Sequence, residues 1–407
     1  MDTQGVIEEW NRTGGIFRLK PTWVPRTNSV PGRRLKLHPR DLYAFGIHRG
    51  GITERWIAST VRANNGAATL PDEGLSYIVL GDPSLSHRVK ELFLLQDAVE
   101  ILQDRIVGKT IWDEFHGWPV LGKMFDNYDM IPFHLHARDV HGLKVGKIGK
   151  AEAYYFPPQY NSQTCAFPLT FFGLNPSTTK DDIKHCLERW NQGDNGILMY
   201  SKAYPLTPGT GWDVPTGILH APGSLVTYEP QRAVDMGAMF QSLVNGRPVP
   251  WEALVQDVPS NYQFDLDYLV DLIDWKANTD PDFAATHARI PQPVQALAEM
   301  ATQGYQDVWV SYNTPYFSAK ELTVFPGREV TLKEEGAFGV LVTQGHGRLG
   351  PWEVETPSLV RFNDLTADEF FVTVQRAREG VTVRNDSLVE NLVLLRHFAQ
   401  SHSIDKP

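Results

Sequence analysis

Three short blocks of this chain carry residue types that can hold a metal. They are His134-Leu135-His136, then Gly149-Lys150-Ala151-Glu152-Ala153-Tyr154-Tyr155, and far downstream Pro215-Thr216-Gly217-Ile218-Leu219-His220-Ala221. In a strand, residues i and i+2 project to one face, so His134 and His136 enter a common interior while Leu135 turns away. Glu152 adds a carboxylate from a second strand and His220 an imidazole from a third. The expected set is three nitrogens and one oxygen around one divalent metal. Such donors suit zinc, and manganese, iron, cobalt and nickel are also admissible. A His-x-His pair alone says little in a chain with thirteen histidines; the three blocks together carry the argument.

A divalent metal with open positions can accept two vicinal oxygens of a sugar. Polarising a carbonyl and its neighbouring hydroxyl makes the proton on the carbon between them easier to remove, because the charge of the enediolate falls beside the cation. Aldose and ketose then interconvert, provided that a base and stabilising cations stand nearby. Lys150 lies two residues before Glu152 and therefore faces the same interior. Lys123 sits among apolar neighbours in Pro119-Val120-Leu121-Gly122-Lys123-Met124-Phe125-Asp126, which reads as a largely buried strand. Glu229 follows His220 at an odd offset, so it shares the interior only if the Pro222-Gly223 turn breaks the alternation.

Taken in order, the blocks resemble those of a cupin barrel, and specifically the type I mannose-6-phosphate isomerases. Gly51 to Ala58 is similar to that family's early Glu-x-Trp block, and Trp118 to Asp126 to its apolar Lys-Phe-x-Asp block. Ile148 to Phe156 resembles its Gly-Lys-x-Glu-x-Trp-Tyr block with Tyr154 in place of Trp. Pro215 to Asp235 resembles its Pro-x-Gly-x-x-His-Ala stretch followed by Glu, Gln and Asp. The resemblance implies a zinc-dependent, cytosolic isomerase of sugars or sugar phosphates with two cupin domains. It places metal ligands on His134, His136, Glu152 and His220, active-site groups on Lys123, Lys150 and Glu229, and a substrate-binding carboxylate on Glu54. Beyond Tyr154, the chain departs from the family at three further positions. His134 stands where the family has Gln, Pro132 replaces a serine associated with phosphate, and Met239 falls where the family has an arginine. Two groups suited to phosphate are thereby missing, which leaves Arg138, Arg232 and Arg247 as the candidates for an anionic substrate.

The elements that must position these residues are expected to be mainly β with α insertions: two cupin (jelly-roll) β-barrels plus a helical segment. An N-terminal cupin with the metal site covers 1–250 and includes a helical insertion near 177–192, where Ser177 or Thr178 caps a helix presenting Ile183, Cys186, Leu187 and Trp190. A helical segment follows at 251–306, then a second, metal-free cupin-like domain at 307–385, and a C-terminal helix and tail at 386–407. Residues 16–50 read as extended arms and loops, and 85–106 as a helix with Val89, Leu92, Leu95, Val99 and Leu102 on one face.

Composition narrows the partners. A chain of 407 residues with 42% hydrophobic and 21% charged residues folds around a sizeable interior. A net charge of -10 and a pI near 5.7 argue against nucleic acid or an anionic membrane surface and for a small-molecule sugar or sugar phosphate. Two cysteines, Cys165 and Cys186, cannot form a disulfide framework. Together with the lack of an apolar leader or a spanning run, they point to the cytoplasm. The oligomeric state is left open. Two other readings keep the fold but change the chemistry: a metal cupin acting as a dioxygenase or decarboxylase, and a sugar-binding protein of two cupin domains without turnover.

Overall fold

The computed structural model describes residues 3–81, 91–162 and 168–404. It is mainly β, with several antiparallel sheets and helices inserted between strands; among the described residues no sheet closes into a barrel. No described helix is long and apolar enough to cross a membrane.

A seven-stranded sheet is the shared wall of the molecule. Its order runs from Ala288–Arg289 through Gly211–Val214, Glu152–Tyr155, Thr227–Arg232, Val120–Phe125 and Gly51–Ile57 to Thr22–Arg26. Strand alternation sends successive residues to opposite faces, and here both faces are covered. Glu54, Lys123, Glu152, Tyr154 and Glu229 line a cavity on one side. Their neighbours Arg55, Gly122, Tyr155 and Tyr228 turn to the other side, where a nine-stranded sheet packs. Arg55 reaches Asp368 at 2.7 Å and Glu369 at 3.0 Å, and the Tyr228 hydroxyl lies 2.9 Å from Nδ1 of His397.

Facing the cavity from the opposite side is a five-stranded sheet with the order Ser201–Pro205, Leu169–Leu174, His220–Ala221, His134–Leu135 and Ala238–Met239. Here too the alternation decides what goes where. His134 and His220 point inward, while Leu135, Leu219 and Ala221 join an apolar cluster with Ile183, Cys186, Leu187, Leu254 and Leu269. The helix Lys180–Glu188 and the helices between Trp251 and Asn278 therefore cover the dry back of the histidine sheet. The cap of the first is Thr179, not Ser177 or Thr178: its hydroxyl accepts from the Asp182 amide while the Asp182 carboxylate accepts from the Thr179 backbone N–H, closing a capping box.

Three expectations need correction. The C-terminal segment is not a helix: Leu392–Phe398 is a fully buried strand between Ser318–Val324 and Phe338–Gln344, and its near-continuous apolar run fits a strand covered on both faces. Residues 16–50 are not only arms and loops, since Ile16–Lys20 pairs with Glu369–Val372 in the nine-stranded sheet and Thr22–Arg26 edges the seven-stranded one. Of the helix expected over 85–106, residues through Lys90, Val89 included, lie outside the described residues. Leu92 belongs to the strand Glu91–Leu94, and helix begins only at Leu95.

The seam between the seven- and nine-stranded sheets is tight. A Cβ on Gly122 would fall 2.4 Å from the His397 ring, and one on Gly339 2.3 Å from it. Because the ring is held by Tyr228 and cannot swing away, Gly122→Ala is expected to destabilise the fold by about 1–3 kcal/mol, measurable as a lower denaturant midpoint at an unchanged slope. Burial also pushes the His397 imidazole down to about 3. The folded state thus favours the neutral ring relative to the unfolded chain. Its contribution to stability is complete above about pH 6.5 and is lost as pH falls from there toward 3. Stability measured across that window should fall less steeply in His397→Gln than in the parent.

Candidate metal centre and active site

His134 and His220 are direct partners across an antiparallel ladder, and their rings stand 4.1 Å apart. The His136 ring lies 5.2 Å from that of His134 and 5.1 Å from that of His220. All three are buried, and their ligand atoms lie within 4.8 Å of one another. Each Nδ1 meets a backbone carbonyl: Pro132 at 2.7 Å for His134, Met236 at 2.7 Å for His136 and Ile218 at 2.8 Å for His220. A carbonyl only accepts, so each Nδ1 carries the hydrogen and each Nε2 keeps its lone pair. This is how histidines are oriented for metal ligation. Burial, followed by the neighbouring rings, holds His134 well below the ordinary imidazole range, and burial with the Lys150 charge lowers His136 to about 4. Both imidazoles are neutral at neutral pH.

Glu152 stands beside two of the three imidazoles. Its Oε2 lies 3.0 Å from Nε2 of His136 and its Oε1 3.2 Å from Nε2 of His220. Ligands at about 2.1 Å from one cation are themselves roughly 3.0–3.4 Å apart, so these separations match a shared ion. Nε2 of His220 makes no hydrogen bond although it is fully buried. A buried imidazole lone pair without a donor, beside two others and a carboxylate, fits a divalent metal.

The rest of the site is a chain of charges. Lys150 Nζ is 2.6 Å from Glu152 Oε2, 3.0 Å from His136 Nε2 and 3.4 Å from Glu229 Oε1. Lys123 and Glu229 are direct cross-strand partners, and their side chains meet at 2.6 Å. The Tyr154 hydroxyl donates to Glu152 Oε1 at 2.6 Å. Burial would lower the Lys150 ammonium, but the carboxylates of Glu152 and Glu229 outweigh it and raise it above the ordinary lysine range. Glu152 is held well below the carboxylate range because Lys150 and His136 overcome its burial. Glu229 goes the other way: burial and the nearby Glu152 charge push it up to about 7 against the pull of Lys123 and Lys150.

Sequence reading placed Glu54 in the site, and it lines the cavity, bonded to Arg26 at 2.9 Å and to the Trp56 indole N–H at 2.8 Å. Glu229 is there because His220 and Glu229 belong to different sheets, so the alternation restarts after the Pro222-Gly223 turn. Arg138 and Arg232, expected at the substrate, do not line the cavity. Arg138 donates to the Asp271 carbonyl at 2.8 Å. Arg232 is held by Asp139 at 2.8 Å and by the Gly149 carbonyl, and it lies over the Tyr316 ring. Local acceptors claimed both guanidinium groups. Arg26 and Asp235 were missed as partners in the site. Arg26 forms paired contacts with Glu54 and Asp235 inside the cavity; the alternation of Thr22-Trp23-Val24-Pro25-Arg26 was the available signal, obscured by the prolines around it.

If these four donors share one ion, His220→Ala should lose stoichiometric metal on elemental analysis, whereas Lys150→Ala should retain it. Equal metal content in parent and His220→Ala would contradict the assignment.

No family model matches the chain, and no curated protein matches it. Solved structures do. The mannose 6-phosphate isomerase from Bacillus subtilis is 15% identical with a TM-score of 0.58, covering 94% of this chain and 99% of that one. A point mutant of the phosphomannose isomerase from Salmonella typhimurium is 12% identical with a TM-score of 0.59, covering 95% and 100%. A zinc-bound mannose 6-phosphate isomerase is 13% identical with a TM-score of 0.59 over the same shares. At these identities the likeness establishes a common fold spanning nearly the whole chain.

Proposed function

We propose that this chain is a metal-dependent aldose-ketose isomerase, acting on a sugar or sugar phosphate through an enediol, and built as two cupin jelly rolls of which only the first carries a metal. The observation that carries the reading is the run of contacts Lys123–Glu229–Lys150–Glu152 beside three inward-facing imidazole lone pairs. The zinc-bound neighbour supports zinc as the ion, and His134, His136, Glu152 and His220 would hold it. A bound divalent cation supplies Lewis acidity toward a carbonyl and its adjacent hydroxyl.

The chain's own residues account for the proton. A carboxyl pushed up to about 7 exchanges a proton readily at neutral pH, which suits Glu229 to take it from one carbon of the substrate and return it to the next. Lys150, kept charged by Glu152 and Glu229, faces the same space and offsets negative charge on the enediol oxygens. Lys123 holds the Glu229 carboxylate in register from the adjacent strand. The cavity, about 500 Å³, has the size of a small-ligand site, and its apolar wall from Phe125, Ile131, Pro132, Met236 and Met239 limits water. The second jelly roll is read from the nine- and four-stranded sheets. Its one histidine between 307 and 385, His346, is exposed, and no further metal cluster occurs among the described residues. The paucity of cysteine supports a cytoplasmic home.

Incubated with aldoses and ketoses or their phosphates in heavy water, the metal-loaded protein should introduce deuterium at C2, read by NMR. Glu229→Gln should slow that exchange by about 10²–10⁴-fold while keeping the metal. An isomerase reading does not survive the absence of exchange with every sugar that binds.

A further inference from the structure

The lysines and arginines of the cavity are already paired with carboxylates. Four lysine and arginine side chains line it, Arg26, Arg49, Lys123 and Lys150, against five carboxylates, Glu54, Glu152, Glu229, Asp235 and Glu252. Arg26 is shared by Glu54 and Asp235 at 2.9 and 3.1 Å. Arg49 grips both oxygens of Glu73, at 2.8 and 2.6 Å. Lys123 meets Glu229 at 2.6 Å and Lys150 meets Glu152 at 2.6 Å. Among the described residues, no lining lysine or arginine lacks a carboxylate partner. The arginines that could have supplied an anion site are committed outside the cavity: Arg138 to the Asp271 carbonyl, Arg232 to Asp139 and Arg247 to Asp129.

A phosphate monoester carries nearly two negative charges and binds through unshared cations or a fork of guanidinium donors. Here it would have to displace a carboxylate from Arg26 or Arg49 or stand beside one without a free cation, and either is unfavourable. The outer part of the cavity offers instead neutral hydrogen-bonding groups, Thr27, Asn28, Ser29 and Asn64, partly open to solvent. These suit hydroxyls. The inner part, with the imidazoles and Glu152, is the end where the reacting carbons belong under the isomerase reading, so the far carbons of the sugar reach the neutral groups. We infer that the substrate is an unphosphorylated sugar, held by its hydroxyls, and that the site discriminates against the terminal phosphate ester of the same sugar. This inference rests on the isomerase reading for the reaction, and the pairings of Arg26 and Arg49 that it uses involve none of the four proposed metal ligands.

The test uses the zinc-loaded full chain with D-mannose, D-glucose and D-lyxose, and with the terminal phosphate ester of each. C2 exchange in heavy water and calorimetric affinity are measured side by side. Exchange is expected with at least one free sugar, at a kcat/KM about 10–100-fold above that of its ester, the discrimination expected of one or two uncompensated polar groups. Glu252→Lys, which adds a cation at the exposed rim, should narrow the gap. A kcat/KM for an ester equal to or above that for its free sugar overturns the inference and leaves the isomerase reading intact. Absence of exchange with all six compounds sinks the isomerase reading, and calorimetry then decides the inference. Tighter binding of a free sugar supports it; tighter binding of an ester, or no binding of any, overturns it.

Discussion

Glu152 is a carboxylate with about 1% of its surface exposed, and everything around it answers that burial. An ionised carboxylate removed from water is unfavourable by several kcal/mol unless charges and hydrogen bonds compensate it. Here Lys150 and the Tyr154 hydroxyl donate to its two oxygens, while Nε2 of His136 and of His220 stand 3.0 and 3.2 Å from them. Lys150 in turn needs a second carboxylate, Glu229, and Glu229 a second lysine, Lys123. The network extends strand by strand until its charges balance. Of the three neighbouring imidazoles, His220 keeps a buried Nε2 without a hydrogen bond.

Position is enforced by two sheets that meet at the cavity. The histidine sheet is braced from behind by helices packed on Leu135, Leu219 and Ala221. The opposing wall is braced by the nine-stranded sheet through Arg55, Tyr228 and the close approach of Gly122 to His397. Because one strand residue faces the site and the next faces the seam, a shift of the seam by one residue would remove Lys123 or Glu229 from the cavity altogether. The C-terminal sheets need no metal of their own to matter: their part is to hold the wall still.

How much of this was legible follows from the range of each interaction. His134, His136, Glu152 and His220 announce themselves by type and by a period of two, which is local information. So is the helix Lys180–Glu188, whose buried face was read from spacing alone, although its cap lies one residue past the positions expected. The pairing of Glu229 with Lys123 is not local: it depends on a register set between strands a hundred residues apart. Arg26 with Asp235 belongs to the same class. Arg138 and Arg232 show the converse error, since an arginine near a site in sequence is taken by whichever acceptor lies nearest in space. The terminal run Leu392-Val393-Leu394-Leu395-Arg396-His397-Phe398 misled because an apolar segment covered on both faces has no period to read.

The ion pairs that compensate the buried charges also line the cavity, so folding and the proposed selectivity draw on the same residues. The central claim of the proposed function is that four donors converge on one ion, and the most direct measurement is anomalous diffraction at the metal absorption edge from crystals of the zinc-loaded protein. The account predicts a single strong peak per chain at about 2.0–2.2 Å from Nε2 of His134, His136 and His220 and from one oxygen of Glu152. A peak elsewhere, or zinc-loaded crystals with no peak among these side chains, would contradict it.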